Sequence, residues 1–129
     1  YNVYGPGQIE SGDYATVIGI FERQYRNGEK LTVVSPGTQQ RDFTHIDDII
    51  VGVIRATQKD FNHEWFLRRG VPKTIIEIAD LFGEWKMIEQ RRGERQTADV
   101  IESDTEELLE WKPVHNVEEY IIEVKKQLR

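Results

Sequence analysis

The amino-acid sequence predicts a small mixed α/β domain. Three observations carry that reading. Short apolar runs of extended character alternate with amphipathic helical stretches. The aliphatic set is β-branched, with 14 Ile and 11 Val against 6 Leu, as strands favour. Helix-capping patterns recur in the second half, at Thr74/Glu77, Ser103/Glu106 and Asn116/Glu119. The 129 residues suit one domain with a modest core, and no Pro- or Ser-rich linker divides them.

Taken in order, Tyr1–Tyr4 reads as the end of a strand, stopped by Gly5-Pro6-Gly7. A polar loop, Gln8–Asp13, leads to a helix over Tyr14–Arg26. Val17, Ile20, Phe21, Gln24 and Tyr25 fall near one face of it, and Asn27-Gly28 closes it. Leu31–Val34 is a short strand ended by Ser35-Pro36-Gly37, and Arg41–Ile46 reads as another. Asp47 is placed as the N-cap of a helix running to Arg55 or Thr57. Trp65–Leu67 is a short strand candidate, and Thr74 opens a helix to Phe82. Trp85–Glu89 is extended, and Arg91-Arg92-Gly93-Glu94-Arg95 is a charged turn. Ser103 starts a short helix to Leu109, ended by Trp111-Lys112-Pro113. Asn116 starts the last helix, with Val117, Tyr120, Ile121, Val124 and Leu128 at helical spacing.

Composition removes several function classes. The absence of Cys rules out disulfides, thiolate nucleophiles and Cys-ligated zinc. With 5 Phe, 5 Tyr and 3 Trp the chain is not a disordered one. A net charge of −6 without a basic stripe argues against a nucleic-acid partner, and no apolar run reaches the length of a membrane span. His45, His63 and His115 lie far apart in sequence, with no helical metal-ligand spacing, so no metal is expected. Asp47-Asp48 reads as a helix start rather than a catalytic dyad, and the other carboxylates suit solvated helix faces. There is no phosphate-cradling glycine loop and no Tyr followed by Lys four residues later. No complete catalytic set is present.

Anion binding has better support. Arg41 stands between two apolar stretches, where a guanidinium suits bidentate phosphate contact. On residue types alone, an ion pair with Asp42 or an exposed strand-edge charge fits as well. Arg91, Arg92 and Arg95 flank a glycine turn whose backbone can approach a ligand closely.

The order of motifs is similar to a known family. Tyr1-Asn2-Val3-Tyr4-Gly5-Pro6-Gly7-Gln8 resembles the segment that follows the catalytic Tyr/Lys helix in extended short-chain dehydrogenases. These are the NAD-dependent nucleotide-sugar epimerases/dehydratases, of the UDP-glucose 4-epimerase type. Leu31–Val34 with Gly37–Asp48 resembles the family's most distinctive downstream stretch. Arg91–Arg95 with Ser103 and Leu108–Pro113 resembles its C-terminal signature. The likeness runs from Tyr1 to about Pro113.

The resemblance implies a small mixed α/β substrate-binding domain without the family's N-terminal Rossmann domain. The chain opens without an initiator methionine, and is expected to be an internal piece of a longer protein. In the family, that absent domain supplies the glycine fingerprint and the Tyr/Lys pair, and NAD transiently oxidises the sugar to a keto intermediate. Carried over by position, Tyr1 matches an aromatic beside the nicotinamide and Asn2 a contact to the substrate diphosphate. Thr16 and Val17 match a helix start that approaches the nucleotide, although Asn is usual at Thr16. Thr32 and Val34 match a strand whose backbone reads the base edge. Arg41 and Arg91 match two diphosphate-binding arginines, and Glu94 matches an acid that accepts from the ribose hydroxyls. The expected partners are a nucleotide sugar, the Rossmann domain and, when complete, a second copy in a cytoplasmic homodimer. NAD belongs to the complete enzyme. The alternative is a free-standing, non-catalytic module that binds a nucleotide sugar or another protein.

Overall fold

A computed structural model describes residues 1–59, 63–89, 97–98 and 102–128. Its strands are β1 (Asn2–Tyr4), β2 (Leu31–Val34), β3 (Gln40–Arg41), β4 (Phe43–His45), β5 (Lys73–Thr74) and β6 (Trp85–Ile88). Its helices are α1 (Val17–Arg26), α2 (Ile46–Thr57), α3 (Ile75–Phe82), α4 (Thr105–Leu109) and α5 (Val117–Leu128). The strands pair two by two. β1 runs parallel to β4 and β2 parallel to β6, while β3 and β5 are antiparallel. Tyr4, Phe21, Leu31, Val33, Ile78, Phe82 and Ile121 are buried in one core cluster, which packs α1, α3 and α5 around β2. Burying one such side chain contributes about 1.5–3 kcal/mol.

The caps explain most element boundaries. Thr74 and Glu77 form the reciprocal capping box, with the Glu77 amide donating to Thr74 Oγ1 at 3.1 Å. Asn116 Oδ1 accepts from the Glu119 amide at 2.9 Å and starts α5 as expected. α1 begins later than Tyr14, because Thr16 is the N-cap and its Oγ1 accepts from the Gly19 amide at 2.9 Å. α2 is capped by His45 rather than Asp47: His45 Nδ1 accepts from the Asp47 amide at 3.0 Å. α4 has Asp104 as its N-cap, and Ser103 Oγ instead accepts from the Thr105 amide one turn position earlier.

Two strand expectations are corrected. Arg41–Ile46 is not one strand, because the buried Asp42 turns its carboxylate inward between β3 and β4. There it accepts from Thr44 Oγ1 at 3.0 Å and from the amides of Arg69 and Gly70 at 3.1 and 2.8 Å. Trp65–Leu67 is not a strand. This segment lies over α2, with Leu67 seated where a side chain on Gly52 would stand. Its Phe66 N–H donates to a side chain, Thr105 Oγ1, at 2.9 Å.

Candidate functional site

Five of the residues singled out in the sequence line one cleft of about 370 Å³. Asn2 comes from β1, Val17 from the first turn of α1, Thr32 and Val34 from β2, and Arg41 from β3. Ser11, Gly12, Arg23, Gln24 and Gln39 complete much of the wall. Tyr1 and Thr16 line an adjoining cleft of about 310 Å³ that shares Asn2, Ala15 and Val17 with the first. Tyr1 is about half exposed there. Arg91 and Glu94, like Arg92 and Arg95, lie outside the described residues.

Arg41 is half-buried on the cleft wall, and its Nη1 donates to the Gln40 carbonyl at 2.7 Å. Asp42, the neighbour considered as its ion-pair partner, spends its carboxylate on the inward bonds described above. Thr16 has little left to offer a ligand directly. Its amide donates to Ile9 O at 3.0 Å and its hydroxyl to Gln8 Oε1 at 2.9 Å, while the same oxygen caps α1. It holds the helix start in place beside both clefts.

That helix start is tied to the rest of the fold through Glu22. Tyr120 Oη donates to Glu22 Oε1 at 2.6 Å, and Gln8 Nε2 donates to the same oxygen at 3.0 Å. Burial pushes the Glu22 carboxyl above its ordinary range, and the two hydrogen bonds only partly offset that. Burial likewise raises the Tyr120 phenol, with the Glu22 bond adding to it, so Tyr120 stays a donor.

The outer edge of β2 is covered by two glutamines that were not among the sequence-derived site residues. Thr32 N–H donates to Gln24 Oε1 at 3.1 Å, and Gln24 Nε2 donates to Thr32 Oγ1 at 2.9 Å. Gln39 Nε2 donates to the Val34 carbonyl at 2.9 Å. Both glutamines are buried. A signal for Gln24 existed: it is a carboxamide on the otherwise apolar face of α1.

The fold also brings two distant histidines together. The rings of His45 and His115 stack with centroids 4.3 Å apart and an 18° interplanar angle. Ligand atoms of His45, Asp47 and His115 lie within 4.8 Å of one another, a proximity that sequence spacing did not reveal. The Nδ1 atoms are already engaged, His45 with the Asp47 amide and His115 with Asp48 Oδ1 at 3.0 Å. Burial first, and then the nearby His115, lowers the His45 pKa, which suits its work as a neutral acceptor.

Comparison with known proteins identifies the family. Residues 1–66 match the family model for the NAD dependent epimerase/dehydratase family. UDP-glucuronic acid decarboxylase 6 of Arabidopsis thaliana is 30% identical over 121 residues, covering 88% of this chain and 34% of that protein. The UDP-glucose 4-epimerase of Thermotoga maritima, solved with UDP-glucose, superposes with a TM-score of 0.88 at 25% identity, over 97% of this chain and 42% of that one. UDP-N-acetylglucosamine 4-epimerase from Methanobrevibacter ruminantium, in complex with UDP-N-acetylmuramic acid, gives a TM-score of 0.84 at 28% identity, over 97% and 43%. The chain thus spans about a third of the length of the curated relatives it matches. The motif order, the fold and the family match together place this chain in the NAD-dependent epimerase/dehydratase family.

Proposed function

We propose that this chain is the substrate-binding portion of an NAD-dependent nucleotide-sugar epimerase/dehydratase, and that its cleft holds the nucleotide diphosphate. One observation carries the reading: residues from four separate elements, assigned by position to one ligand, line a single cleft. Arg41 supplies a guanidinium for the diphosphate, and the Asn2 amide donates without adding charge. Val17 lies in the first turn of α1, where helix amides favour an anion. Thr32 and Val34 present the strand edge to the base. Arg91 and Glu94 are assigned to the second phosphate contact and the ribose hydroxyls.

The remaining chemistry belongs to the complete enzyme. NAD, when bound, supplies hydride transfer through a keto-sugar. The chain itself offers Tyr1 as an aromatic wall and has no glycine-rich phosphate loop of its own. Clamping the diphosphate lets remote binding energy hold the sugar ring for that transfer. The partner surface for the Rossmann domain is the parallel pair β1–β4 with α2. A parallel pair requires cover on both faces, and Ile50, Val51, Val53 and Ile54 of α2 are each about half exposed. That apolar face weighs against the free-standing module. Following the family resemblance, we assign the complete protein to the cytoplasm as a homodimer, without nucleic-acid or membrane partners. Among the described residues, no helix is long and apolar enough to cross a membrane.

The test is Arg41→Ala in the full-length protein, assayed with UDP-sugars. Loss of a charge-assisted phosphate contact costs about 1.5–3 kcal/mol, so KM should rise roughly ten- to hundred-fold. Unchanged kinetics would remove Arg41 from the diphosphate site.

A further inference from the structure

The last helix, α5, reaches both walls of the cleft without lining it. On one side, Glu118 Oε1 accepts from Lys73 Nζ at 2.8 Å, and Lys73 of β5 is the register partner of Arg41 on β3. On the other side, Tyr120 Oη donates to Glu22 Oε1 at 2.6 Å, and Gln8 Nε2 donates to that same oxygen at 3.0 Å. Gln8 Oε1 in turn accepts from Thr16, the cap of the helix start that carries Val17. Residues two apart on a helix point to different sides, so one turn of α5 holds both walls at once. None of Lys73, Glu118 and Tyr120 lines either cleft.

The two walls gain from such a brace because little apolar burial positions them. β3 is two residues long, with Gln40 exposed and Arg41 half-buried. Opposite it, Ser11 to Tyr14 of the loop before α1 are exposed, and Ser11 and Gly12 of that loop line the cleft. α5 is seated more firmly. Its Val117 and Ile121 lie in the core cluster, and Asp48 holds the turn before it through the amides of Val114 and His115. A rigid helix therefore hands a fixed spacing to two surface elements. A diphosphate that touches both Arg41 and the first turn of α1 requires that spacing, whereas a monophosphate can settle against one of them.

We infer that Tyr120 and Glu118 are positioning residues, which set the distance between Arg41 and the start of α1 to suit a diphosphate. The inference rests on the proposed diphosphate-binding role of the cleft and adds the element that fixes its span. The hydrogen bonds themselves supply a sharp test. Tyr120 and Gln8 both donate to one oxygen of Glu22, so a glutamine there keeps both bonds with its single carbonyl oxygen. A leucine keeps neither.

The experiment is a calorimetric titration of the full-length protein with UDP and with UMP. Tyr120→Phe should weaken UDP binding about five-fold or more and UMP binding by less than about two-fold, because misplaced contacts penalise the ligand that needs both. Glu22→Leu should do the same, and Glu22→Gln should hold UDP affinity within about two-fold of wild type. Unchanged UDP binding in Tyr120→Phe, or a parallel loss of both ligands, overturns the inference. So does a Glu22→Gln variant as weak as Glu22→Leu. Glu118→Ala removes a partly exposed ion pair of little consequence for folding, and tests the other wall even if Tyr120→Phe does not fold. It should lower the ratio of UDP to UMP affinity by about two-fold or more, and an unchanged ratio there contradicts the brace. A wild-type protein that binds neither nucleotide sinks the nucleotide reading itself. Wild-type binding of UDP with no variant altering the ratio removes only the brace.

Discussion

Tyr120 and Glu22 are 98 residues apart in sequence, yet the phenol donates to the carboxylate at 2.6 Å and locks the last helix to the first. The same carboxylate oxygen holds Gln8, which accepts from Thr16, the cap of α1. The start of the helix beside both clefts is thus fixed by a side chain from α5. Because burial raises the folded-state pKa of Glu22 above its ordinary 4.5, its contribution to stability is fully present below about pH 4.5 and is lost as pH rises through the folded value. Once Glu22 is ionised, each donor to it matters more. Tyr120→Phe should cost nearer 1 kcal/mol where Glu22 is protonated and about 1.5–3 kcal/mol where it is ionised, so its cost rises with pH. Urea melts across a pH series measure the rise. A cost that does not change with pH would contradict a Glu22 that titrates against this bond.

Asp48 works in the opposite direction. Its buried carboxylate accepts from the amides of Val114 and His115 at 3.1 and 3.0 Å, and from His115 Nδ1 at 3.0 Å. Burial alone would raise its pKa, but these hydrogen bonds outweigh it and the net shift is downward. A depressed carboxylate gives stability that is present above its ordinary value near 3.8 and is lost as pH falls through the folded value. Asp48→Asn should destabilise the protein at pH 7 by about 1.5–3 kcal/mol and flatten the acid arm of its stability profile. A melt series from pH 7 to 3 reads both effects.

Gly19 lies in the first turn of α1, and its amide donates to Oγ1 of the N-cap Thr16 at 2.9 Å. A Cβ at this position would lie 2.5 Å from the Ile9 carbonyl and 2.7 Å from Thr16 Oγ1. Helix propensity alone favours Gly19→Ala by about 1 kcal/mol. The clash falls on backbone, however, so overpacking of about 1–3 kcal/mol should win. The substitution should lower the melting temperature and weaken nucleotide binding, because Ser11 and Gly12, on the same loop as Ile9, line the cleft. Thermal melts with and without UDP separate the two consequences.

Local chemistry was well written in the sequence. Thr74 and Glu77 carry their capping box within four residues, and α3 forms where they place it. Asn2, Thr32, Val34 and Arg41 were found through motif order, and they converge on one cleft. What sequence could not show depended on partners far along the chain. Asp42 breaks a predicted strand because its acceptors are wanted by the amides of Arg69 and Gly70, 27 and 28 residues away. Asp48 looked like half of a helix start, yet it anchors the turn before α5. His45 and His115 had no recognisable spacing and meet where Asp48 holds the turn that carries His115. Gln24 was visible as a polar residue on an apolar helical face, but its role needed the β2 edge.

The most direct measurement of the central claim is an amide hydrogen-exchange map of the full-length protein with and without UDP. The account predicts slowed exchange at Val17, at Val34 and around Arg41, with little change near His45 and His115. Protection confined to the His45–His115 region, or absent from the cleft at saturating UDP, would contradict it.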